Sequence, residues 1–526
     1  VIRDEALRKR LRKGFYWGGL CLFWGLVFSA TLLFWAWYST ILWFTPTAMA
    51  TRHIAVLVVK AAPVVAAVAG FVKGFWFVPD PDALFGSARW ANRKEIDAAT
   101  RLRDGLLVGR DPVTKKLLRY DGPAHLLTMA PTRTGKGVGT IIPNLLTLDR
   151  SVICIDPKGE NAKVTLRARE RFGPVHILDP FGVTGRVSDA FNPLDRLDPF
   201  GLDVTEDAGT LADALIADEP GQGGEAHWNE EAKALVTGLL LHIVAHEPSP
   251  RRTLATLRED LTLAPAAFSN LLKTMQASPA VGGLVARAAN RHLGKSDREA
   301  AGVLSVAQRH THFLDSPRMT AVLDRSDFSF ADLKRRTATV FLVLPPDRLS
   351  TYARWLRLLV TQSLLDVARD PTKPEAPILY LLDEFAALGH LAPVERAMGL
   401  MAGYGVQLWP ILQDIHQLRA TYGARAGTFL SNAGVLQLFG VNDLDTADWI
   451  ARTIGKTDVR YFTDSYSEGR DTFSEHVAAG NLINPDEIMR LPETGMILMQ
   501  SGKHPAWVDK IRYYADREFR GAFDEP

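Results

Sequence analysis

Cysteine is almost missing. Cys21 and Cys154 are the only two in 526 residues and lie far apart, which excludes a disulfide framework and a thiolate metal site. Both read as buried free thiols in a reducing compartment. An excess of one charge is missing too: 61 Lys and Arg face 59 Asp and Glu, which excludes the uniformly basic surface of a general nucleic-acid-binding protein. No histidine cluster stands out, since His310 and His312 are two apart, do not share a helix face and read as helix surface. There is no Leu-Ser-Gly-Gly-Gln segment, against ABC-type chemistry, and nothing resembles a kinase catalytic loop. What is present is 47% hydrophobic and 23% charged residues, a globular composition long enough for two to four domains.

The longest stretch without charge runs from Phe15 to Phe44: thirty residues lacking Asp, Glu, Lys, Arg and His. As a helix at ~1.5 Å per residue it exceeds the ~30 Å hydrocarbon core, and it is about twice the apolar region of a signal peptide. A second apolar stretch, 54–78, contains Pro63, with Lys60 and Lys73 placed to snorkel to opposite interfaces. Two transmembrane helices, about 15–44 and 54–78, are therefore expected within a membrane anchor of residues 1–80. Arg3, Arg8, Lys9, Arg10, Arg12 and Lys13 precede the first span, whereas the connector offers only Arg52 and His53. The positive-inside rule then puts both termini in the cytoplasm. Residues 1–80 hold nine Lys or Arg against three Asp or Glu, so the remaining 446 residues carry 52 against 56 and are mildly acidic.

Past the anchor, an apolar strand-like segment at 122–130 leads into Pro131-Thr-Arg-Thr-Gly-Lys-Gly-Val-Gly-Thr140 and then a helix-like run. Strand, glycine-containing turn with a lysine, and helix together form the arrangement that cradles a triphosphate. Against G-x-x-x-x-G-K-[ST], Ala130 replaces the first glycine and Gly137 replaces the hydroxyl residue that ligates magnesium. The expected nucleotide contacts are Thr132, Arg133, Thr134, Gly135, Lys136, Gly137 and Val138, with Lys136 on the β/γ-phosphates. Ile378-Leu-Tyr-Leu-Leu-Asp383-Glu384 reads as a buried strand ending in two acids. In P-loop logic Asp383 holds Mg2+ and Glu384 polarises the attacking water. Thr140, one helical turn beyond Gly137, or water alone, is expected to complete the metal coordination. Strand-like runs recur at 152–155, 175–178, 339–344, 378–382, 407–412, 436–441 and 496–500, while 205–330 reads as helical, for example at Trp228–His246 and Ala280–Leu293.

Ala130-Pro-Thr-Arg-Thr-Gly-Lys-Gly-Val-Gly139, Asp156-Pro-Lys-Gly-Glu-Asn161, Leu382-Asp-Glu-Phe-Ala-Ala-Leu-Gly389 and Leu412-Gln-Asp-Ile-His-Gln-Leu418 resemble the TraG/TraD-type coupling proteins of type IV secretion and conjugation, as do Gly86–Ala91 and Asn442-Asp443-Leu444. The resemblance implies an α/β fold: two N-terminal transmembrane helices, then a RecA-like P-loop nucleotide-binding domain (81–204 and 331–526) interrupted by an all-α domain (205–330). It implies a homo-hexameric ATPase of the bacterial inner membrane, using ATP and Mg2+, whose partners are secretion-channel components and either a relaxase–single-stranded DNA complex or protein effectors. Gln413, at a strand end beside the site, is then the expected γ-phosphate sensor. A trans-acting arginine from the neighbouring subunit is also implied, with Arg396, Arg419 and Arg425 as candidates among which the sequence does not choose. An alternative reading is a nucleotide-gated membrane receptor or assembly platform without motor turnover.

Overall fold

Thirteen strands occur among the residues that the computed structural model describes, which are 15–31, 61–72, 85–216, 226–467 and 470–525. In chain order they are β1 (Leu106–Arg110), β2 (Leu117–Tyr120), β3 (His125–Met129), β4 (Val152–Asp156), β5 (Val175–Leu178), β6 (Thr339–Val343), β7 (Ile378–Leu382), β8 (Val406–Leu412), β9 (Ala433–Leu438), β10 (Lys456–Ser467), β11 (Arg470–Asn481), β12 (Gly495–Gln500) and β13 (Ala506–Asp509). Eleven form one sheet in the order β2-β1-β13-β12-β9-β3-β8-β7-β4-β6-β5; β10 and β11 pair separately. From β9 to β5 the pairings are parallel, and from β9 out to β2 they are antiparallel.

Parallel strands need apolar cover on both faces. Ile153 and Ile155 of β4, with Tyr380 and Leu382 of β7, enter one core, while the alternate residues Cys154, Leu379 and Leu381 enter the other. This double burial explains why these strands read as unbroken apolar runs, and the fold class is mixed α/β with a large parallel sheet. The antiparallel flank is less legible. Its strands β1 and β2 are short, and a register shift between Leu107 and Gly109 interrupts their ladder.

Between β5 and β6 the described residues form helices and short turns. The long helix Ala226–His246 is apolar on most of its circumference because Val204–Leu215, Leu254–Leu261, Leu284–Leu293 and Asp297–Thr311 surround it. Gly238 lets this helix approach Ala288 more closely than a side chain allows. His310, expected on a helix surface, is instead buried, because it continues the inward stripe of Val303 and Ala307; His312 is exposed. The helical segment shares its apolar core with one face of the sheet, and both belong to a compact unit of residues 88–457 and 480–526.

A second compact unit comprises residues 1–87 and 458–479. Its described helices, 15–31 and 61–72, pack through small residues: a Cβ on Gly25 would lie 2.9 Å from Pro63 Cα, and one on Gly70 2.7 Å from Cys21 Sγ. Phe15 and Phe71 meet edge to face at 5.2 Å. Phe23, Trp24, Phe28, Val64, Val65 and Val68 remain exposed. Among the described residues no helix is long and apolar enough to cross a membrane. Residues 32–44, 54–60 and 73–78 of the two expected spans lie outside the described residues.

Candidate functional site

The chain leaves β3 through Ala130, whose N–H donates to the Leu412 carbonyl of β8 at 2.8 Å. The turn that follows is closed by Thr134, whose N–H and hydroxyl both donate to the Pro131 carbonyl, at 3.3 and 2.6 Å. Two left-handed residues shape the loop, Arg133 at φ 65° and Gly135 at φ 90°. Glycine adopts that backbone freely, whereas at Arg133 it stores about 1–3 kcal/mol of strain.

The helix after the loop opens as a π turn, Gly137–Ile141, closed by the Ile142 N–H on the Gly137 carbonyl, and continues as Ile142–Thr147. This overturns the expected place of Thr140. In an α-helix it would share a face with Gly137, but the wider π turn rotates it inward. Thr140 is fully buried, and its hydroxyl donates to Gln437 Oε1 at 3.1 Å. The hydroxyl is thus committed to the sheet and does not line the cavity over the loop. At Gly137, by contrast, the space a side chain would occupy is open.

One strand, β8, separates β3 from β7. Asp383 and Glu384 follow β7, and Glu384 takes a left-handed backbone, φ 50°. The Lys136 ammonium sits between the two acids, 2.9 Å from Asp383 Oδ1 and hydrogen-bonded to Glu384 Oε1. Burial pulls Lys136 down, but the two carboxylates outweigh it and hold the ammonium above its ordinary range. Burial raises Asp383, with Lys136 opposing. A third acid, Asp156, ends β4 beside β7. It is buried, accepts the Ala162 N–H at 2.8 Å, and is pushed by burial up to about 6.

A cavity of about 550 Å³ lies over these groups. The loop lines it with Thr132, Arg133, Gly135, Lys136, Gly137 and Val138, the segment after β4 with Asp156, Lys158 and Asn161, and the acid turn with Asp383 and Glu384. Pro346 and Leu349 complete the wall. An ammonium, loop N–H groups and clustered carboxylates are the donor set for a phosphate chain carrying a hard divalent cation. A second cavity, about 460 Å³, shares Arg133, Gly135 and Val138 and extends to Asn442, Lys510 and Tyr514. Lys510 lies over Phe439, 4.3 Å from the ring centroid, donates to the Thr134 carbonyl at 3.1 Å, and is lowered by burial to about 8.

Gln413 follows β8, between the loop strand and the acid strand; it is half-buried, and its N–H donates to Gln417 Oε1 at 2.9 Å. Its side chain is not among the groups lining the cavity. Arg396, Arg419 and Arg425 are all exposed, and Arg425 pairs with Glu395 at 3.2 Å. Pro346, Leu349, Lys510 and Tyr514 were missed in the sequence because each is distant from the motifs and belongs to none.

A loop strand and an acid strand separated by one strand, with a lysine held at the acids, define the RecA-like P-loop class of α/β proteins. Residues 89–526 match the family described as type IV secretory system conjugative DNA transfer, and the chain belongs to that family, the type IV coupling proteins. It is 32% identical over 461 residues to protein VirD4 of Rhizobium rhizogenes, covering 84% of this chain and 67% of that protein. It is 29% identical over 466 residues to the conjugal transfer protein TraG of Escherichia coli, covering 78% and 72%. The chain spans about two thirds of the length of the curated relatives it matches. Among solved structures, the bacterial conjugative coupling protein TrwB in its unbound form is similar at TM-score 0.65 and 19% identity, covering 86% of this chain and 98% of that one. TrwB in complex with ADP and Mg2+ is similar at TM-score 0.63 and 19% identity, covering 85% and 99%. At that identity the likeness concerns the fold.

Proposed function

We propose that this chain is a membrane-anchored, homo-hexameric ATPase that recruits a substrate and couples it to a type IV secretion channel by hydrolysing ATP. The observation that carries the reading is the Lys136 ammonium held between Asp383 and Glu384 on a cavity about 550 Å³ in volume. Magnesium, when bound with ATP, supplies charge neutralisation on the phosphates. Lys136 exchanges its carboxylates for phosphate oxygens, and the loop N–H groups hold the rest of the chain. Asp383, released from Lys136, would hold the metal, directly or through water. Glu384, released likewise, orients the attacking water, and Gln413, which does not line the cavity in this structure, reaches the γ-phosphate only once the end of β8 moves toward the filled loop. TrwB, which shares this fold, has been solved with ADP and Mg2+, and the donor set here fits the same ligands. The second cavity continues from the loop and takes the nucleoside half.

The exposed aromatic and aliphatic surface of helices 15–31 and 61–72 supports the anchor, and the basic residues before Phe15 support cytoplasmic termini on a bacterial inner membrane. The substrate is a relaxase–DNA complex or a protein effector. Because residues 81–526 are net acidic, any DNA contact is confined to a locally basic channel formed on assembly. The test is phosphate release by the full chain in detergent with magnesium-ATP, read beside transfer in cells. Wild type should hydrolyse, and Lys136→Ala and Glu384→Gln should lose both turnover and transfer. If all three are equally inert while transfer survives, the chain is a receptor or platform and the motor reading fails.

A further inference from the structure

A buried, hydrogen-bonded polar group of the sheet lies under the phosphate loop. Gln437 of β9 is fully buried, and its Oε1 accepts two hydroxyls: Thr140 from the π turn at 3.1 Å and Thr128 from β3 at 2.8 Å. Its Nε2 donates to the Val108 carbonyl of β1 at 3.1 Å. Thr128 Oγ1 in turn accepts the indole N–H of Trp409 at 2.8 Å, and Trp409 lies on β8, four residues before Gln413. On the helix side, Asn144 donates to the Thr140 carbonyl at 2.7 Å and exchanges two hydrogen bonds with the backbone of Leu107.

The register of the π turn decides what this network does. A π turn carries one residue more than the α turn it replaces and persists where surrounding groups hold it. Here both polar groups of Thr140 are held, the hydroxyl by Gln437 and the carbonyl by Asn144. The same Gln437 oxygen is shared with the chain of bonds that ends on β8. A fully satisfied buried network of this kind fixes a single arrangement of the elements it joins.

We infer that Gln437 and Thr140 are positioning residues: they clamp the phosphate-loop helix to the strand that leads to Gln413, so that filling the loop is felt at β8. The inference rests on the nucleotide reading above. Removing the Thr140 hydroxyl leaves Gln437 Oε1 with the Thr128 donor, so a Thr140→Val chain keeps its fold, and Thr140→Ser restores the lost bond.

The test uses the full chain in detergent, labelled with 5-fluorotryptophan, the Trp409 resonance being identified by Trp409→Phe. ADP with magnesium is titrated while calorimetry on the same sample gives Kd. In wild type and Thr140→Ser the Trp409 resonance should shift on saturation. In Thr140→Val, Kd should stay within about threefold of wild type while the shift falls to less than about half, a separation that a merely structural role does not produce. A wild-type resonance that stays still although ADP binds, or a Thr140→Val shift equal to wild type, overturns the inference. Absence of binding to wild type overturns the nucleotide reading and removes the inference with it.

Discussion

Lys136 in this structure is the counter-ion of its own acidic partners, and that pairing has a measurable energy. Its side chain is 17% exposed and that of Asp383 12%, so the pair escapes much of the screening that leaves surface ion pairs nearly worthless. At the 2.9 Å separation, an effective dielectric of about 20–40 gives roughly 3–6 kcal/mol of attraction, which desolvation of both groups opposes. Glu384 stays on the ammonium when Asp383 is neutralised, which lowers the coupling further. A double-mutant cycle of Lys136→Met and Asp383→Asn, read by denaturant unfolding of the nucleotide-free full chain in detergent, should give a coupling of about 1–3 kcal/mol. A pH series adds a sign that no generic packing loss would reproduce. Burial already raises the folded pKa of Asp383, and removing Lys136 raises it further, so the folded Lys136→Met chain keeps a proton that the unfolded chain has lost. Its deficit against wild type is therefore largest at high pH, where the carboxyl is ionised in both folded chains, and closes as pH falls through the raised folded pKa of the wild-type carboxyl, below which both folded chains hold the proton. A coupling below about 0.3 kcal/mol, or a deficit unchanged between about pH 8 and 4, would refute the pairing.

Other perturbations reach different parts of the account. Asp156, held up to about 6 in the fold against 3.8 unfolded, lowers stability as pH rises through that interval. Asp156→Asn should thus leave stability unchanged near pH 4 and raise it by up to about 2–3 kcal/mol above pH 6, seen by thermal unfolding across pH. The open space at Gly137 makes Gly137→Ser sterically neutral, and its hydroxyl should lower the magnesium concentration needed for half-maximal nucleotide binding. An unchanged magnesium midpoint would mean that this position does not face the metal. Gly238→Val forces a side chain against Ala288 and should cost about 1–3 kcal/mol or more, whereas Gly209→Ala, with nothing near its missing Cβ, should be neutral or stabilising.

The parallel half of the sheet was legible because its strands are buried on both faces and read as apolar runs, as 378–382 does. The shift of β9 to Ala433–Leu438 from the expected 436–441 came from counting Phe439 and Val441, which are buried beyond the last ladder residue. β1, β2, β13 and the β10–β11 pair were illegible because they are short or carry charged and polar residues throughout, as in Lys456–Ser467. At the site, the loop and the acid pair were legible as motifs, since that chemistry needs those residue types in sequence. Thr140 was misplaced because an α-helical spacing was applied to a π turn, which one residue pattern does not distinguish. Gln437 and Lys510 carry no local signature: one is a polar residue inside a strand, the other a lysine after a strand, and only the tertiary fold brings either to the loop.

The central claim is that this cavity turns over ATP with Glu384 as the residue that orients water, and Glu384→Gln tests it most directly. The variant keeps the size of the side chain and the Lys136 contact but removes the carboxylate. In the full chain with magnesium and ATP, nucleotide Kd should stay within about fivefold of wild type while phosphate release falls by about 10² or more, leaving ATP trapped on the protein. Wild-type turnover in Glu384→Gln, with Lys136→Ala inactive beside it, would contradict the assignment.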